Sequence, residues 1–159
     1  MDFSRLINAI QLSPQSNTVK ELLVLNEKTK EYGLVLTPND VTTMITFRNK
    51  VLHDYARVEL SNEVLKELIE VYAASPYMDP NHYVETLNDL QEIFYYLRNE
   101  TEDKISDIKL IDQIMTFFNG PCAGSVELVR SEMEQMAENF RGDLIRGNSS
   151  FERDDKTWN

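Results

Sequence analysis

The feature that most constrains the fold of this chain is a series of helix boundary signals that recurs along almost its whole length. The clearest is Thr37-Pro38-Asn39-Asp40, in which a hydroxyl can cap the helix, proline takes the first position and aspartate the third. Other start signals stand at Ser61, Asp79-Pro80, Ser106 and near Ser125. Stop signals stand at Ser13-Pro14, Gly33, Ser75-Pro76 and Asn119-Gly120-Pro121. The short distance from each stop to the next start favours helices joined by short turns.

Apolar residues at helical spacing fill the intervals between these signals. The predicted helices cover about residues 3–10, 17–32, 37–55, 61–74, 79–100, 106–119 and 125–146. The predicted fold class is therefore all-α, an irregular bundle of six to seven helices with more than half of the residues helical. Two short extended segments, 34–36 and 57–60, could pair as one minimal two-stranded β ladder.

One domain accounts for most of the chain. A length of 159 residues suits a single core, and no linker of domain size interrupts the pattern. Residues 1–146 are therefore predicted to form a single helical domain. From Gly147 onward the sequence is polar and has no periodicity, so residues 147–159 are predicted to form a disordered tail.

Charge and composition exclude several classes of partner. The formal net charge is −11, and the 16 basic residues are spread among 27 acidic ones without a basic run, which argues against nucleic-acid binding. The longest apolar run, Ile93–Leu97, is far shorter than a membrane span. The first residues lack a secretory signal, and the single cysteine, Cys122, agrees with a reducing compartment. We therefore predict a cytoplasmic protein that binds neither nucleic acid nor membranes.

Residues that could support metal or covalent chemistry are few. Of the two histidines, only His82, in Asp79-x-x-His82, has the spacing of a dimetal helical bundle, and Asp79 is better explained as a helix cap. Cys122 lies in a turn of small residues, and the sequence shows no base that would activate it. No glycine-rich phosphate loop occurs. We predict no metal, no cofactor and no catalytic residue.

Arg48 breaks the pattern of its predicted helix. It lies near the middle of the face formed by Val41, Met44, Ile45, Leu52 and Tyr55. Because an unpaired buried charge is very costly, we predict that Arg48 is largely buried and hydrogen-bonded to a carboxylate. The candidate partners are Glu59, Glu85, Asp89 and Glu100. Two interpretations are open: a stem that packs in the core beside a structural carboxylate, or a cation for anion recognition or catalysis in an acidic-lined pocket with Glu85 and Asp89.

The predicted helix at residues 79–100 has two faces. The core face consists of Tyr83, Leu87, Leu90, Ile93, Phe94 and Leu97. A second stripe, displaced by about 100° on an α-helix, consists of Val84, Gln91, Tyr95 and Arg98. Two faces suit a central helix covered from both sides. The alternative is a surface for a protein partner, since Tyr and Arg are typical interface anchors. In either case this second stripe is expected to be largely covered.

The last predicted helix also carries a narrow apolar stripe. Its members are Val126, Val129, Met133, Met136, Phe140 and Leu144. Such a stripe closes the core of a bundle, or, since methionine adapts to irregular surfaces, forms a site for binding or self-association. The sequence leaves both interpretations open.

Three stretches carry a resemblance to a known family. They are Asn26-Glu27 through Tyr32-Gly33-Leu34 to Leu36-Thr37; Ala56-Arg57-Val58-Glu59, which fits the pattern Gly/Ala-Arg-Val-Glu; and Tyr83 through Leu90-Gln91 to Phe94-Tyr95-Tyr96-x-Arg98-Asn99-Glu100. Together they resemble an uncharacterised family of small proteins from Firmicutes-type bacteria, a domain of unknown function, over about residues 20–140. The resemblance implies a bacterial, cytoplasmic origin. It implies no activity, cofactor or site residue.

The function that these observations favour is a non-enzymatic protein-interaction or regulatory module that acts through helix faces. The alternative is an enzyme or small-ligand-binding protein with an acidic-lined pocket around Arg48. A third possibility, a self-associating structural subunit, depends only on the C-terminal apolar stripe.

Overall fold

The computed structural model describes residues 14–59 and 61–145. The helix predicted at residues 3–10 and the tail predicted at residues 147–159 lie outside the described residues. Within these ranges the chain forms six α-helices of ten residues or more and one single-turn α-helix. In chain order they are α1 (Pro14–Leu23), α2 (Asn26–Thr29), α3 (Pro38–Asp54), α4 (Glu63–Ala73), α5 (Tyr83–Glu100), α6 (Asp107–Asn119) and α7 (Val126–Ile145). The all-α prediction is confirmed.

The helix starts predicted at Thr37, Ser106 and near Ser125 are confirmed, whereas Asp79 caps a 3-10 turn, Pro80–His82, and α5 begins only at Tyr83. Thr37 and Asp40 form a capping box at α3: the Thr37 hydroxyl accepts from the Asp40 amide at 3.0 Å, and the Asp40 carboxylate accepts from the Thr37 amide at 2.9 Å. Ser106 and Ser125 each accept a backbone amide three residues on, at 3.3 Å. Local side-chain bonds of this kind satisfy amides that a helix leaves unpaired.

Two further predicted boundaries are wrong. The second helix is predicted to begin at about residue 17, but α1 begins at Pro14, because a proline at the first position loses no helical hydrogen bond. The helix predicted at residues 17–32 is broken at Val24 and Leu25 into α1, α2 and a 3-10 turn, Lys30–Tyr32. The break leaves Val24 exposed and allows both Leu22 and Leu25 to be buried in the core.

The possible β ladder is not formed between residues 34–36 and 57–59. The Asn26 side-chain amide bonds both the amide and the carbonyl of Leu36, each at 2.8 Å. Likewise, the Thr29 hydroxyl donates to the Leu34 carbonyl at 2.7 Å. In the second segment, the Arg57 amide donates to the Leu52 carbonyl at 2.8 Å. Backbone groups of Leu34, Leu36 and Arg57 that a ladder could use are therefore already bonded to nearby residues.

The core surrounds α5, which packs against α3, α4, α6 and α7. The predicted core face of α5 is buried throughout, with Leu87, Leu90 and Phe94 at 0 % exposure. On α7, Val129, Met133 and Phe140 are buried, so the apolar stripe of that helix closes the bundle. None of the helices in the described ranges combines the length and apolar character that a membrane span needs.

Candidate functional site

Arg48 is buried, with 7 % of its surface exposed, so this part of the prediction is confirmed. The predicted carboxylate partner is wrong. The guanidinium Nη1 donates to Oδ1 of Asn62 at 2.9 Å, and Nε lies 3.4 Å from Oδ1 of Asn49. Asn62, the residue before α4, in turn donates from Nδ2 to the Glu21 carboxylate at 3.1 Å. A neutral amide therefore stands between the buried cation and a carboxylate.

The acidic-lined pocket predicted around Arg48 is not formed by Glu85 and Asp89. Glu85 lines a cleft together with Asp40, which is eight residues before Arg48 and therefore about 12 Å away along the axis of α3. Asp89 is influenced by Arg130 of α7: burial raises the pKa of Asp89, and Arg130 acts in the opposite direction. Arg48, Glu85 and Asp89 therefore lie in different surroundings and do not line one pocket.

We predict that Arg48→Met changes the free energy of unfolding by no more than about 1 kcal/mol. Loss of the Asn62 hydrogen bond is offset because a charge no longer has to be stripped of water. Urea denaturation measures the change, with Lys50→Met, an exposed cation on the same helix, as the matched control. A loss of about 3–5 kcal/mol would mean that a charged partner is left behind, contrary to the observed contacts.

The second stripe of α5 is covered within the chain. Gln91 and Tyr95 are fully buried, and Nε2 of Gln91 donates to the Met44 carbonyl of α3 at 3.3 Å. Val84 and Arg98 are half-buried. The interpretation as a central helix therefore holds for this conformation, and Gln91 and Tyr95 cannot contact a partner in it.

Tyr95 and Arg98 instead belong to a charged cluster that the sequence pattern does not predict. The Tyr95 hydroxyl donates to Oε2 of Glu59 at 3.1 Å, and Nη1 of Arg98 donates to the same oxygen at 2.7 Å. Nε of Arg98 donates to Asp103 at 3.2 Å and lies 3.6 Å from Asp107. We call these groups, together with Arg57, the Glu59 cluster.

Two turns with left-handed residues bring the Glu59 cluster together. Ala56 has φ 53°, and Glu102 and Asp103 have φ 54° and 60°. Such values favour glycine, so these three residues hold a backbone conformation that is uncommon for residues with a side chain. The two turns are joined by Arg57, which directly follows Ala56 and donates to both carboxylate oxygens of Asp103, at 2.8 and 2.9 Å. Two of the stretches that carry the family resemblance therefore meet at one place.

The Glu59 cluster acts as a clamp, by which we mean that its hydrogen bonds and ion pairs hold three segments of the chain together. Burial, with the adjacent Glu59 carboxylate, raises the pKa of Tyr95, so its hydroxyl stays protonated and donates. Burial also raises the pKa of Asp107, although Arg98 acts against this shift. Guanidinium groups do not lose their protons in proteins. The cluster thus ties the segment before α4 to α5 and to the turn before α6. Its tyrosine and arginine groups keep the same protonation state near neutral pH.

The remaining reactive side chains stand apart from each other. The His82 Nδ1 lies 2.9 Å from the Asp79 carboxylate, and this hydrogen bond raises the pKa of His82 and lowers that of Asp79. Among the described residues no three His, Cys, Asp or Glu side chains are placed to hold a metal ion together. Cys122 is 4 % exposed, and burial raises the pKa of its thiol.

Because a thiol must be exposed and deprotonated to attack, we predict that Cys122 reacts very slowly with Ellman's reagent in the folded protein. In denaturing urea the same thiol should react at the rate of free cysteine. The ratio of the two rates is expected to exceed 100-fold, set by how often the fold opens. A fast native reaction would show that the turn between α6 and α7 exposes the thiol.

The surface also contains an apolar cleft between α4 and α6. Its volume is about 330 Å³, and it is lined by Glu63, Val64, Glu67, Ser106, Asp107, Ile108 and Ile111. Val64 and Ile111 form a buried floor, whereas Ile108 is 72 % exposed. We call this surface the α4–α6 cleft. The available sequence signal was Ile108 itself, an isoleucine outside the buried face of its helix.

The cleft adjoins the Glu59 cluster. Asp107 belongs to both, and Ile108 follows it directly in α6. Val58, 83 % exposed, lies between Arg57 and Glu59, the two residues that fasten its segment to the α5–α6 region. Val58 and Ile108, two of the most exposed apolar side chains in the described residues, are therefore each next to a residue of the Glu59 cluster.

Fold and site together define an all-α bundle that presents a clamped apolar surface. The chain matches a family described as a family of unknown function (DUF6323) over residues 21–145, and it belongs to that family. No curated protein and no solved structure matches the chain.

Proposed function

We propose that this protein is a non-enzymatic interaction module that binds another protein through helix faces at the α4–α6 cleft. The observation that carries this proposal is the exposure of Ile108 beside the buried floor of Val64 and Ile111. Apolar side chains that stand in water next to an open apolar cleft are typical of surfaces that a partner covers. The Glu59 cluster supports the proposal because it fixes the position of the helices that form the cleft.

The alternative function, an enzyme or ligand-binding protein centred on Arg48, is not favoured by any observation. The Arg48 guanidinium is engaged by Asn62 and Asn49. Arg48 also lies outside the α4–α6 cleft and the cleft that contains Glu85.

The setting of this function is part of the same proposal. We propose that the protein acts in the cytoplasm of a Firmicutes-type bacterium and binds neither nucleic acid nor membranes. The resemblance supports the origin, the single cysteine supports a reducing compartment, and the net charge of −11 would repel phosphate groups.

Affinity capture from the native organism with two matched variants tests the interaction. We expect Ile108→Ser to lose a partner that the unchanged protein retains, because the variant removes an exposed apolar anchor. Leu128→Ser on α7, where the leucine is 54 % exposed, should retain it. Thermal unfolding checks that both variants fold. Equal capture by both variants would contradict the assignment of this surface.

A further inference from the structure

We infer that the segment recognised at the α4–α6 cleft is a cationic amphipathic helix of the partner protein, an inference that rests on the proposed function. The cleft offers side chains rather than backbone. Its lining residues belong to α4 and α6 or directly precede α6, and Ser106 and Ser61 accept the first-turn amides of Lys109 and Glu63. A β-strand partner therefore finds no free backbone edge, whereas a helix inserts apolar side chains at spacings of three and four residues.

The rim of the cleft sets the charge of that helix. Glu63, Glu67 and Asp107 surround the apolar floor of Val64 and Ile111. Glu63 and Asp107 stand in the first turns of their helices, where a negative charge also stabilises the helix. Glu67 lies beyond the first turn of α4, so stabilisation of the helix does not explain why a negative charge stands there. Lysine or arginine beside the apolar anchors of the partner would compensate all three carboxylates.

The neighbouring ion pairs leave this rim negative. In the described part of the chain, the carboxylates of Glu59, Asp103 and Asp107 pair with the guanidinium groups of Arg57 and Arg98, three carboxylates with two cations. On α4, Lys66 is directed to Glu21 at 3.2 Å and to Glu63 at 3.7 Å rather than to Glu67.

The same charge argues against a second copy of this chain as the occupant. A twofold contact would bring the two rims together, each with Glu63, Glu67 and Asp107. Like charges placed opposite each other in an interface cost several kcal/mol. A partner of opposite charge removes this repulsion and also associates faster at low salt.

The experiment measures the binding of a fluorescently labelled amphipathic helical peptide of Leu and Lys to the full-length protein by anisotropy. Its control is the same peptide with every Lys replaced by Glu. We expect only the Leu/Lys peptide to bind. Ile108→Ser should weaken binding at least tenfold, and Leu128→Ser should leave it unchanged. Glu67→Gln should weaken binding several-fold and reduce its dependence on salt, because one rim charge is lost.

Several results would overturn the inference. They are no binding of the Leu/Lys peptide, equal binding of the Leu/Glu peptide, and equal binding by Ile108→Ser, which would indicate attraction without the cleft. A dimer in sedimentation that Ile108→Ser dissociates would assign the surface to a second copy. If a partner is captured in an Ile108-dependent way but the Leu/Lys peptide does not bind, only the inference of a cationic helix is overturned. If neither Ile108-dependent capture nor peptide binding is observed, the proposed function is overturned as well. Circular dichroism verifies that each variant folds.

Discussion

Tyr95→Asp is expected to prevent the protein from folding. The Tyr95 ring is fully buried and packs edge-to-face on Phe94, with ring centroids 5.0 Å apart. Loss of a large buried ring costs about 3–5 kcal/mol, and the new carboxylate would lie near Glu59 without water. Together these losses approach the whole stability of a domain, about 5–15 kcal/mol. Circular dichroism should show lost helix, or a urea midpoint near zero.

Tyr95→Phe separates the ring from its hydroxyl. This variant keeps the buried ring and loses only the bond to Glu59, which still accepts from Arg98. The expected cost is about 1.5–3 kcal/mol, that of a hydrogen bond to a charged group. If Tyr95→Asp folded with unchanged stability, the second stripe of α5 could not be covered within the chain.

The second large effect is expected from Glu59→Ala. The change leaves Arg98 and the Tyr95 hydroxyl without their shared acceptor, in a pair whose side chains are only 13 % and 23 % exposed. Each of the two lost hydrogen bonds to a charged group is worth about 1.5–3 kcal/mol. Because Arg98 keeps Asp103 and Asp107 as partners and the pair is partly exposed, we expect a loss at the lower end, about 3 kcal/mol. Urea denaturation measures it, and the double variant with Arg98→Met gives the coupling energy of the pair.

Glu27→Ala is the matched control for burial. The Glu27–Lys30 pair has a similar separation, 2.9 Å against 2.7 Å, but its side chains are 77 % and 57 % exposed. Exposed pairs contribute about 0–1 kcal/mol because water screens them. Equal losses in Glu59→Ala and Glu27→Ala would contradict the role of the Glu59 cluster as a clamp.

Most helices could be predicted because their ends depend on nearby residues. The capping box of Thr37 and Asp40 lies within four consecutive positions, so the sequence alone contains it. The burial of Arg48 also followed from helical periodicity within α3. Its partner did not, because Asn62 comes from a different part of the chain and is a neutral residue, whereas all four candidates were carboxylates.

The Glu59 cluster could not be predicted for a related reason. Its geometry depends on positive φ angles at Ala56, Glu102 and Asp103, and positive φ cannot be predicted from these residue types. Residues 57–60 were predicted only as a short extended segment that could pair in a ladder, and this prediction does not indicate that the Glu59 side chain contacts α5. The α4–α6 cleft was missed because it requires two helices to be placed relative to each other.

The Asn26 amide has a consequence for association between chains. The segment Leu34-Val35-Leu36 is extended and apolar, and such segments are templates for unwanted strand pairing. The Asn26 side chain occupies the amide and carbonyl of Leu36, and Thr29 occupies the carbonyl of Leu34. Side chains thus take the place of a neighbouring strand at Leu34 and Leu36, so these backbone groups are not free to pair with a second chain.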